Sequence, residues 1–316
     1  MTRQEAPPGR LFDAHLLPAR RDRGAALGFA GGGDFLHRQV AALVAERLAE
    51  VTRAFDDAAI IGSGGGVYAA ALAGRVPQDR IVQVEISPVR AAAAGAAPAA
   101  CLDQLPLPEG AFDLAVSGLE LHWADDPVGQ LVQMRRALRP DGLMIAALFG
   151  GRTLHELRSS LAEAEVHTTG GLSPRVAPMG DIRDLGALLQ RAGFAMPVAD
   201  AERLEVSYET PLHLMRELRA MGETNILAQR RRVPLRRDTL ARACEIYASS
   251  FPAEDGRITA TFEIVFLTGW APAEGQPEPL RPGSATARLA EALGSSEVGT
   301  GVAAAPPQRK PDASSG

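Results

Sequence analysis

The sequence predicts an α/β fold built on a doubly wound, mostly parallel sheet. Short apolar segments alternate with helical ones over residues 58–150, which is the pattern of successive βαβ units. The segment GSGGG (62–66) joins the first of these strands to a helix, as expected for a tight turn into a crossover helix. The chain has 316 residues, of which 46% are hydrophobic and 22% are charged, so it can bury a large core.

The helices are predicted from apolar residues at helical spacing and from capping residues. Asp34 is the expected N-cap of the first helix, Thr153 and Glu156 form a T-x-x-E capping pattern, and Pro211 opens a later helix. The Ala-rich stretch 90–100 is compatible with a helix or with irregular structure. The predicted helices are 34–50, 67–76, 127–138, one that starts near 153, 182–192, 211–221 and 237–250.

The strands are predicted from short apolar runs bounded by turn residues. The run AAII (58–61) is fully apolar, as expected of a strand covered on both faces, whereas TFEIVFLTGW (261–270) begins with alternating residues. Right-handed crossovers place the loops after the parallel strands along one edge of the sheet, where ligands bind. The predicted strands are 58–61, 80–87, 113–118, 143–150, 203–208 and 261–270.

Composition excludes several classes of protein and site. The 33 basic and 38 acidic side chains leave a net charge of −5, which does not favour nucleic acid or an anionic membrane surface. Only two cysteines occur, far apart, so we expect neither a disulfide framework nor a CxxC metal site. The six histidines lack ligand spacing, and no run of about 18 apolar residues predicts a membrane span. We therefore expect a soluble protein of a reducing compartment, without a metal site or an integral membrane segment.

Two features at the predicted ligand-binding edge favour a ribose-containing ligand. Glycines let the backbone approach a ligand closely, and the helix that follows them offers unpaired N–H groups. Glu85 lies near the end of the second strand, about 20 residues beyond the glycines, where a carboxylate can accept both hydroxyl protons of a ribose. Each feature has a plainer explanation, a tight turn or an exposed acid at a strand end. Their combination is more specific than either alone.

The motifs that follow Glu85 resemble, in their order, those of the class I S-adenosylmethionine-dependent methyltransferases. CLDQLP (101–106), FDL (112–114) and LRPDG (138–142) stand where that family has its adenine-contacting stretch, the strand that leads to the active site, and the turn before the fifth strand. The resemblance implies a Rossmann-like sheet with an antiparallel last strand, and S-adenosylmethionine as cofactor. The cofactor-binding residues it implies are Gly62, Ser63, Gly64, Gly66, Glu85, Ile86, Leu102, Asp103 and Ser117.

A longer match is similar to one family of that class, assembly factor 5 of respiratory complex I (NADH:ubiquinone oxidoreductase) and its bacterial counterparts. It is carried by LHWADD (121–126), LFGGRTLHELRSSLAEAE (148–165), GGLSPRVAP (170–178) and LRAMGETN (218–225). The resemblance implies a protein substrate, a complex I subunit, that is methylated or hydroxylated on an arginine. It further implies the bacterial cytoplasm or the mitochondrial matrix, with any peripheral membrane association made through the partner.

The same resemblance divides the chain into three parts. Residues 1–50 are an N-terminal arm and helix, 51–272 form the methyltransferase-like domain, and 273–316 form a disordered tail rich in Pro, Gly, Ala and Ser. Within the domain, 51–150 is the cofactor half and 151–272 is the half for the substrate or partner.

Two residues depart from the family's pattern. Its first motif usually reads D-x-G-x-G-x-G, but Ile60 holds the acidic position here, and Cys101 stands where the adenine-contacting acid is expected, with Asp103 two residues later. Each lost hydrogen bond to a charged partner costs on the order of 1.5–3 kcal/mol. Two alternatives to an enzyme that modifies a protein therefore stay open. One is a non-catalytic assembly factor with a degenerate cofactor site, and the other is a methyltransferase that forms esters on small molecules or carrier proteins.

Glu120, His122 and Trp123 follow the predicted strand 113–118 and are the candidate catalytic residues. The ordinary pKa of histidine lies near neutrality, so His122 can serve as a base, and Trp123 can stack on adenine or on a guanidinium. The alternative is that the His-Trp pair only packs against the strand end. The run Arg230-Arg231-Arg232 is either a solvated surface or a contact for an acidic partner.

Overall fold

The computed structural model describes residues 10–28 and 32–277, so most of the predicted tail lies outside the described residues. The helices of the described part are α1 (Leu16–Ala26), α2 (Phe35–Ala49), α3 (Val67–Ala71), α4 (Pro88–Ala94), α5 (Pro127–Ala137), α6 (His155–Thr169), α7 (Ile182–Ala192), α8 (Pro211–Met221) and α9 (Arg237–Ser250). The strands are β1 (Ala58–Ile61), β2 (Ile81–Glu85), β3 (Ala97–Pro98), β4 (Phe112–Gly118), β5 (Leu138–Phe149), β6 (Ala195–Tyr208) and β7 (Ile258–Trp270).

The strands form one seven-stranded sheet in the order β3-β2-β1-β4-β5-β7-β6. The first five are parallel to their neighbours, whereas β7 runs antiparallel between β5 and β6. The predicted doubly wound sheet, mostly parallel with an antiparallel last strand, is confirmed. The strand order reverses between β1 and β4, and the crevice at such a reversal is where open α/β sheets bind ligands.

Helices cover both faces of this sheet. All four residues of β1 are buried, which explains the uniformly apolar sequence of that strand. Ile60 packs in a cluster with Val40 of α2, whereas Ile61 packs on the other face in a cluster with Leu131 of α5 and Leu189 of α7. No helix within the described ranges is long and apolar enough to cross a membrane.

The N-terminal region contains a helix, α1, that the periodicity did not predict. Its segment LLPARRDRGAA is rich in arginine and has no apolar stripe, but Leu17, Arg21 and Gly24 are buried on one face. Gly24 allows close packing against α8, because a Cβ at that position would lie 2.6 Å from the carbonyl oxygen of Ala220. The position of α1 is therefore set by tertiary contacts rather than by an amphipathic pattern.

Several element boundaries differ from the prediction. α3 ends at Ala71 rather than near residue 76, and the chain then turns through Gly74 with a φ of 82°. β6 begins at Ala195 rather than at 203, because it pairs with β7 along almost its whole length. Asp34 makes no side-chain cap bond, and its carboxylate instead pairs with Arg38 at 2.6 Å.

The capping pattern predicted at the start of α6 is wrong. The helix follows Leu154, which has a φ of 53°, and no side chain caps it. Thr153 Oγ1 instead donates to the carbonyl oxygen of Glu263 at 3.1 Å, and Glu156 accepts a hydrogen bond from Thr261 Oγ1. Both side chains of the predicted capping box therefore hydrogen-bond to strand β7 instead of to the start of the helix.

The close approach of Gly118 to Tyr68 generates a prediction about stability. A Cβ at Gly118 would lie 2.2 Å from the ring of Tyr68, which is 1% exposed and has no free space to move into. We expect Gly118→Ala to lower the free energy of unfolding by about 1–3 kcal/mol, measured by urea denaturation. Gly171→Ala is the matched control, because nothing lies within 4 Å of a Cβ at that position. Equal stability of the two variants would contradict the packing argument.

Candidate functional site

The loop Gly62–Gly66 follows β1 in a conformation that glycine adopts most easily. Its four glycines have φ values between 55° and 96°. Ser63 Oγ accepts a hydrogen bond from the backbone N–H of Gly65 at 3.3 Å and donates one to Glu85 Oε2 at 2.9 Å. The glycine loop and the strand-end acid, which the sequence placed at one edge of the sheet, are therefore in direct contact.

Glu85 lies at the end of β2 and is 1% exposed. Besides the bond from Ser63, its Oε1 accepts a hydrogen bond from the backbone N–H of Ser87 at 3.1 Å. The guanidinium of Arg21 approaches the same oxygen at 3.5 Å. The plainer explanation of Glu85 as an exposed acid at a strand end is thereby excluded.

Arg21 of α1 is fully buried at this edge and faces three carboxylates. Its Nη1 lies 2.5 Å from Glu120 Oε1 and 3.5 Å from Glu85 Oε1, and its Nη2 lies 3.8 Å from Glu223 Oε1. We call these four residues the Arg21 network. Burial opposes the charge of Arg21, but Glu120, Glu85 and Glu223 outweigh it and raise the pKa of Arg21 above its ordinary value. Arg21 is thus a permanent buried cation.

Sequence reasoning missed both Arg21 and Glu223. Arg21 stands in the run ARRDR, where nothing distinguishes one arginine from its neighbours. The only available signal was the spacing of Leu17, Arg21 and Gly24 on one helical face. Glu223 follows α8, and its partners come from segments about 100 and 200 residues earlier in the chain.

The Arg21 network holds more carboxylates than the guanidinium groups around it balance. The second buried guanidinium, Arg90 of α4, is 2% exposed and donates to the carbonyl oxygen of Met221 at 2.5 Å. Three acids thus stand against two cations. In residues 10–28 and 32–277, no group of three or more His, Cys, Asp or Glu side chains is arranged to hold a metal ion.

The surplus of acids shifts their protonation. Burial raises the pKa of Glu120 to about 8, and Glu85 and Glu223 add to that rise against the opposing charge of Arg21. Burial also acts to raise the pKa of Glu223, but the hydrogen bond to His122 and the charge of Arg21 outweigh it and hold the value at about 2. At neutral pH, Glu120 is therefore the acid of the network that carries a proton.

His122 and Trp123 both contact the carboxylate of Glu223. Trp123 Nε1 donates to Glu223 Oε2 at 2.8 Å, and His122 Nε2 lies 3.4 Å from the same oxygen. The His122 side chain is 2% exposed, and burial lowers its pKa, so the ring is neutral at pH 7. Its centroid lies 4.5 Å from that of Phe149. These contacts are those of a packed pair, and a catalytic role of either ring stays a prediction.

The residues expected at the adenine side lie together beside Trp123. Ile86, Leu102 and Asp103 line a small cavity of about 10 Å³ that also reaches Trp123. The ring of Phe12, from the N-terminal segment, packs edge-on against Trp123 with 5.2 Å between centroids. The predicted residues thus share one place in the fold, and the N-terminal segment fills most of the space between them.

A second cavity, of about 1070 Å³, also reaches Trp123 and Glu223. We call it the chamber. Its walls come from α1, α6, α8, β7 and the segments 175–179 and 223–235. The run Arg230-Arg231-Arg232 lines it, with Arg231 and Arg232 exposed to solvent.

The polar groups around the Arg21 network match the S-adenosylmethionine that the motif resemblance implies. Glu120 Oε2, Glu223 Oε1 and Ser117 Oγ are buried, and no described residue hydrogen-bonds to them. With Arg21 displaced, the three acids of the network would face a cationic sulfonium ligand. The space between the glycine loop and the acids is occupied by side chains. A Cβ at Gly62 would lie 2.3 Å from Glu120 Cγ, and the guanidinium of Arg21 lies 3.5 Å from Glu85 Oε1. The donor set therefore fits the cofactor, provided that the side chains of Arg21 and Glu120 move aside.

The raised pKa of Glu120 generates a prediction about pH. An acid whose pKa is about 8 in the folded state and about 4.3 when unfolded holds its proton more tightly when folded. Stability is then lost as pH rises between these values, by up to about 1.4 kcal/mol per pH unit. The buried histidines titrate below about pH 6.5, so the window from about 6.5 to 8 isolates Glu120. We expect the melting temperature of the wild type to fall as the pH rises through this window. The melting temperature of Glu120→Gln should not fall in the same way. Parallel curves for the two proteins would show that Glu120 is ionised throughout.

Comparison with known proteins adds independent evidence on the family. A methyltransferase domain family matches residues 60–146. The mitochondrial arginine-hydroxylase NDUFAF5 of Danio rerio is 36% identical over 286 residues, which cover 89% of this chain and 89% of that protein. The human NDUFAF5 is 37% identical over 264 residues, covering 82% and 76%. A malonyl-[acyl-carrier protein] O-methyltransferase of Laribacter hongkongensis is 34% identical over 255 residues, covering 75% and 83%.

A solved structure agrees with the fold. The YcgJ protein of Bacillus subtilis superposes with a TM-score of 0.51 at 14% identity, covering 74% of this chain and 99% of that one. At this identity the similarity concerns the fold alone. The sequence relatives extend over most of the chain. The chain therefore belongs to the class I S-adenosylmethionine-dependent methyltransferase family, and within it to the group that contains the NDUFAF5 proteins.

Proposed function

We propose that this protein binds S-adenosylmethionine at the edge where β1, β2 and β4 end, and that it modifies a protein substrate during the assembly of respiratory complex I. The observation that carries the proposal is the Arg21 network beside the glycine loop, a buried set of three acids in which Glu120 and Glu223 each have one oxygen to which no described residue hydrogen-bonds. The extent of the similarity to NDUFAF5 supports the role in assembly. The relatives are named as mitochondrial proteins, so we propose the matrix, or the cytoplasm of a bacterium, as the place of action.

Each part of the cofactor has a candidate set of residues. Glu85 would accept the ribose hydroxyls, Ile86, Leu102 and Asp103 would line the adenine side, and the loop Gly62–Gly66 would follow the backbone of the ligand. When bound, S-adenosylmethionine supplies an electrophilic methyl group on a positively charged sulfur. Ser63, which already bonds Glu85, would fix the orientation of that carboxylate.

The other end of the cofactor would meet the acids that Arg21 now neutralises. Glu120 and Glu223 each keep one buried oxygen to which no described residue hydrogen-bonds, and Ser117 Oγ is in the same state. A bound cation would take over the electrostatic role of Arg21, so one positive charge would replace another without leaving an acid uncompensated. The side chain of Arg21 therefore acts as a displaceable occupant of the site.

Complementation tests the proposed role in assembly. The chain, directed to mitochondria of human cells that lack NDUFAF5, is expected to restore complex I activity, with mass spectrometry identifying the modified residue of the substrate. Restoration by wild type but not by Glu85→Gln supports an enzyme that needs its cofactor. Equal restoration by both supports the non-catalytic assembly factor. Cofactor binding without any restoration supports a small-molecule or carrier-protein methyltransferase.

Glu85→Gln is expected to weaken binding of S-adenosylmethionine while keeping the shape of the side chain. Losing a charged acceptor costs about 1.5–3 kcal/mol, which is about 10- to 100-fold in Kd, measured by isothermal titration calorimetry. Glu205→Gln is the control, because Glu205 is exposed and lies on β6, the edge strand on the far side of the sheet from β2. Unchanged affinity in Glu85→Gln would remove this residue from the cofactor site.

Arg21→Met is expected to separate the stability of the free protein from its response to cofactor. Removing one partner of a buried ion pair costs about 3–5 kcal/mol, so the melting temperature of the free protein falls. The increase in melting temperature on adding S-adenosylmethionine becomes larger than in wild type, since no guanidinium has to leave. Arg23→Met, an exposed arginine of the same helix, leaves the free protein within about 0.5 kcal/mol of wild type. Loss of the cofactor response in Arg21→Met would instead make Arg21 a cofactor ligand.

A further inference from the structure

The chamber combines a deep apolar interior with a cationic mouth. Its volume of about 1070 Å³ lies at the upper end of the range for small-molecule sites. The interior is formed by side chains such as Phe149, Leu157 and Phe262, which are 3%, 5% and 0% exposed. Such walls bind an apolar chain and offer nothing to a fully hydrated ion.

Seven arginines line the chamber, namely Arg20, Arg23, Arg175, Arg219, Arg230, Arg231 and Arg232. Asp13 pairs with Arg230 at 3.2 Å, and Glu165 pairs with Arg175 at 2.7 Å and with Arg231 at 3.7 Å. No carboxylate of the described residues forms an ion pair with the remaining four. The protein as a whole carries a charge of −5, so this concentration of unpaired positive charge is local to the chamber.

The arginines at the mouth act on one another. Partial burial and the charges of Arg23, Arg230 and Arg219 lower the pKa of Arg20, and of these four guanidinium groups only that of Arg230 forms an ion pair with a described carboxylate. Arg20 Nε and Thr224 Oγ1 are buried in the chamber wall, and no hydrogen-bond partner for either exists among the described residues. An anionic group placed there would relieve the repulsion and satisfy these donors.

We propose that the chamber binds an amphipathic anion, a molecule with an unbranched apolar chain in the interior and a phosphate or carboxylate head group held by Arg20, Arg219 and their neighbours at the mouth. Charge complementarity selects the head group, and the buried aromatic and aliphatic walls select the chain. A free anion would leave those walls without a partner, and an acidic peptide would offer its carboxylates to the arginines but no unbranched apolar chain to those walls. The proposal does not depend on S-adenosylmethionine binding at the Arg21 network.

Fluorescence titration with simple amphiphiles tests this assignment. Trp123 lines the chamber, and Trp270 is the second of two tryptophans in the chain, so Trp270→Phe leaves a single reporter in the wall. The probes are dodecyl phosphate and dodecanoate, used below their micelle concentrations, with dodecanol as the neutral match and inorganic phosphate as the isolated head group. We expect both amphipathic anions to bind at least about tenfold more tightly than dodecanol or phosphate. Added salt should weaken the binding of the two anions and leave the binding of dodecanol unchanged.

Two variants and a matched control locate the binding. The double variant Arg20→Gln with Arg219→Gln is expected to weaken the binding of dodecyl phosphate by about 10- to 100-fold and to leave the binding of dodecanol unchanged. Met215→Phe, which fills part of the chamber without adding a second tryptophan, should weaken binding of the anions and of dodecanol alike. The control pairs Arg136→Gln with Arg216→Gln, which removes the same charge from exposed arginines outside the chamber and should leave every affinity unchanged. All variants should keep the melting response to S-adenosylmethionine.

Three results would overturn the proposal. Equal affinity of dodecyl phosphate for wild type and the Arg20, Arg219 double variant would place the binding elsewhere. Equal affinity for dodecanol and dodecyl phosphate would show that the arginines at the mouth do not bind the head group. Tight binding of hexaglutamate, measured with the same reporter while neither amphiphile binds, would assign the mouth to an acidic protein segment instead.

Discussion

A single buried guanidinium, that of Arg21, ties together parts of the chain that are far apart in sequence. Its three acidic partners come from the end of β2, from the segment after β4 and from the loop after α8. An ion in the interior of a protein is tolerated only when it is paired. Each of these segments must therefore keep its acid within reach of the guanidinium of Arg21. The position of α1 against α8, made possible by the close contact at Gly24, follows from the same constraint.

This arrangement also links the free protein to its proposed ligand. The acids proposed to hold a cationic cofactor would repel one another if nothing stood between them. Burial, with smaller contributions from Glu85 and Glu223, already raises the pKa of Glu120 to about 8, so that this acid retains a proton. Arg21 reduces the cost of the free state by supplying an internal cation. In the proposed function, cofactor binding is an exchange of one cation for another rather than the filling of an empty pocket.

The departures from the family's motif have a structural explanation at Ile60. This residue is 0% exposed and packs among apolar side chains on the face of the sheet that α2 covers. An acid at that position would be a buried charge with no partner, so the position belongs to the core of this protein. Cys101 is half-buried and lines the same small cavity as Asp103, which leaves Asp103 available at the adenine side. The ribose-side acid, Glu85, is the part of the pattern that is kept and fully engaged.

The sequence by itself determined the type of sheet, most of its helices and the placement of the glycine loop and Glu85 at one edge. Those features depend on local patterns, namely apolar runs, turn residues and the spacing along one βαβ unit, and each is readable within about 30 residues. The T-x-x-E pattern at 153–156 shows the limit of such patterns, because a strand more than 100 residues away took both side chains. Arg21, Glu223 and the chamber were decided only by the tertiary structure. Their chemistry comes from groups that the fold brings together from distant segments and removes from water, and neither proximity nor burial of that kind is written in any single stretch of the chain.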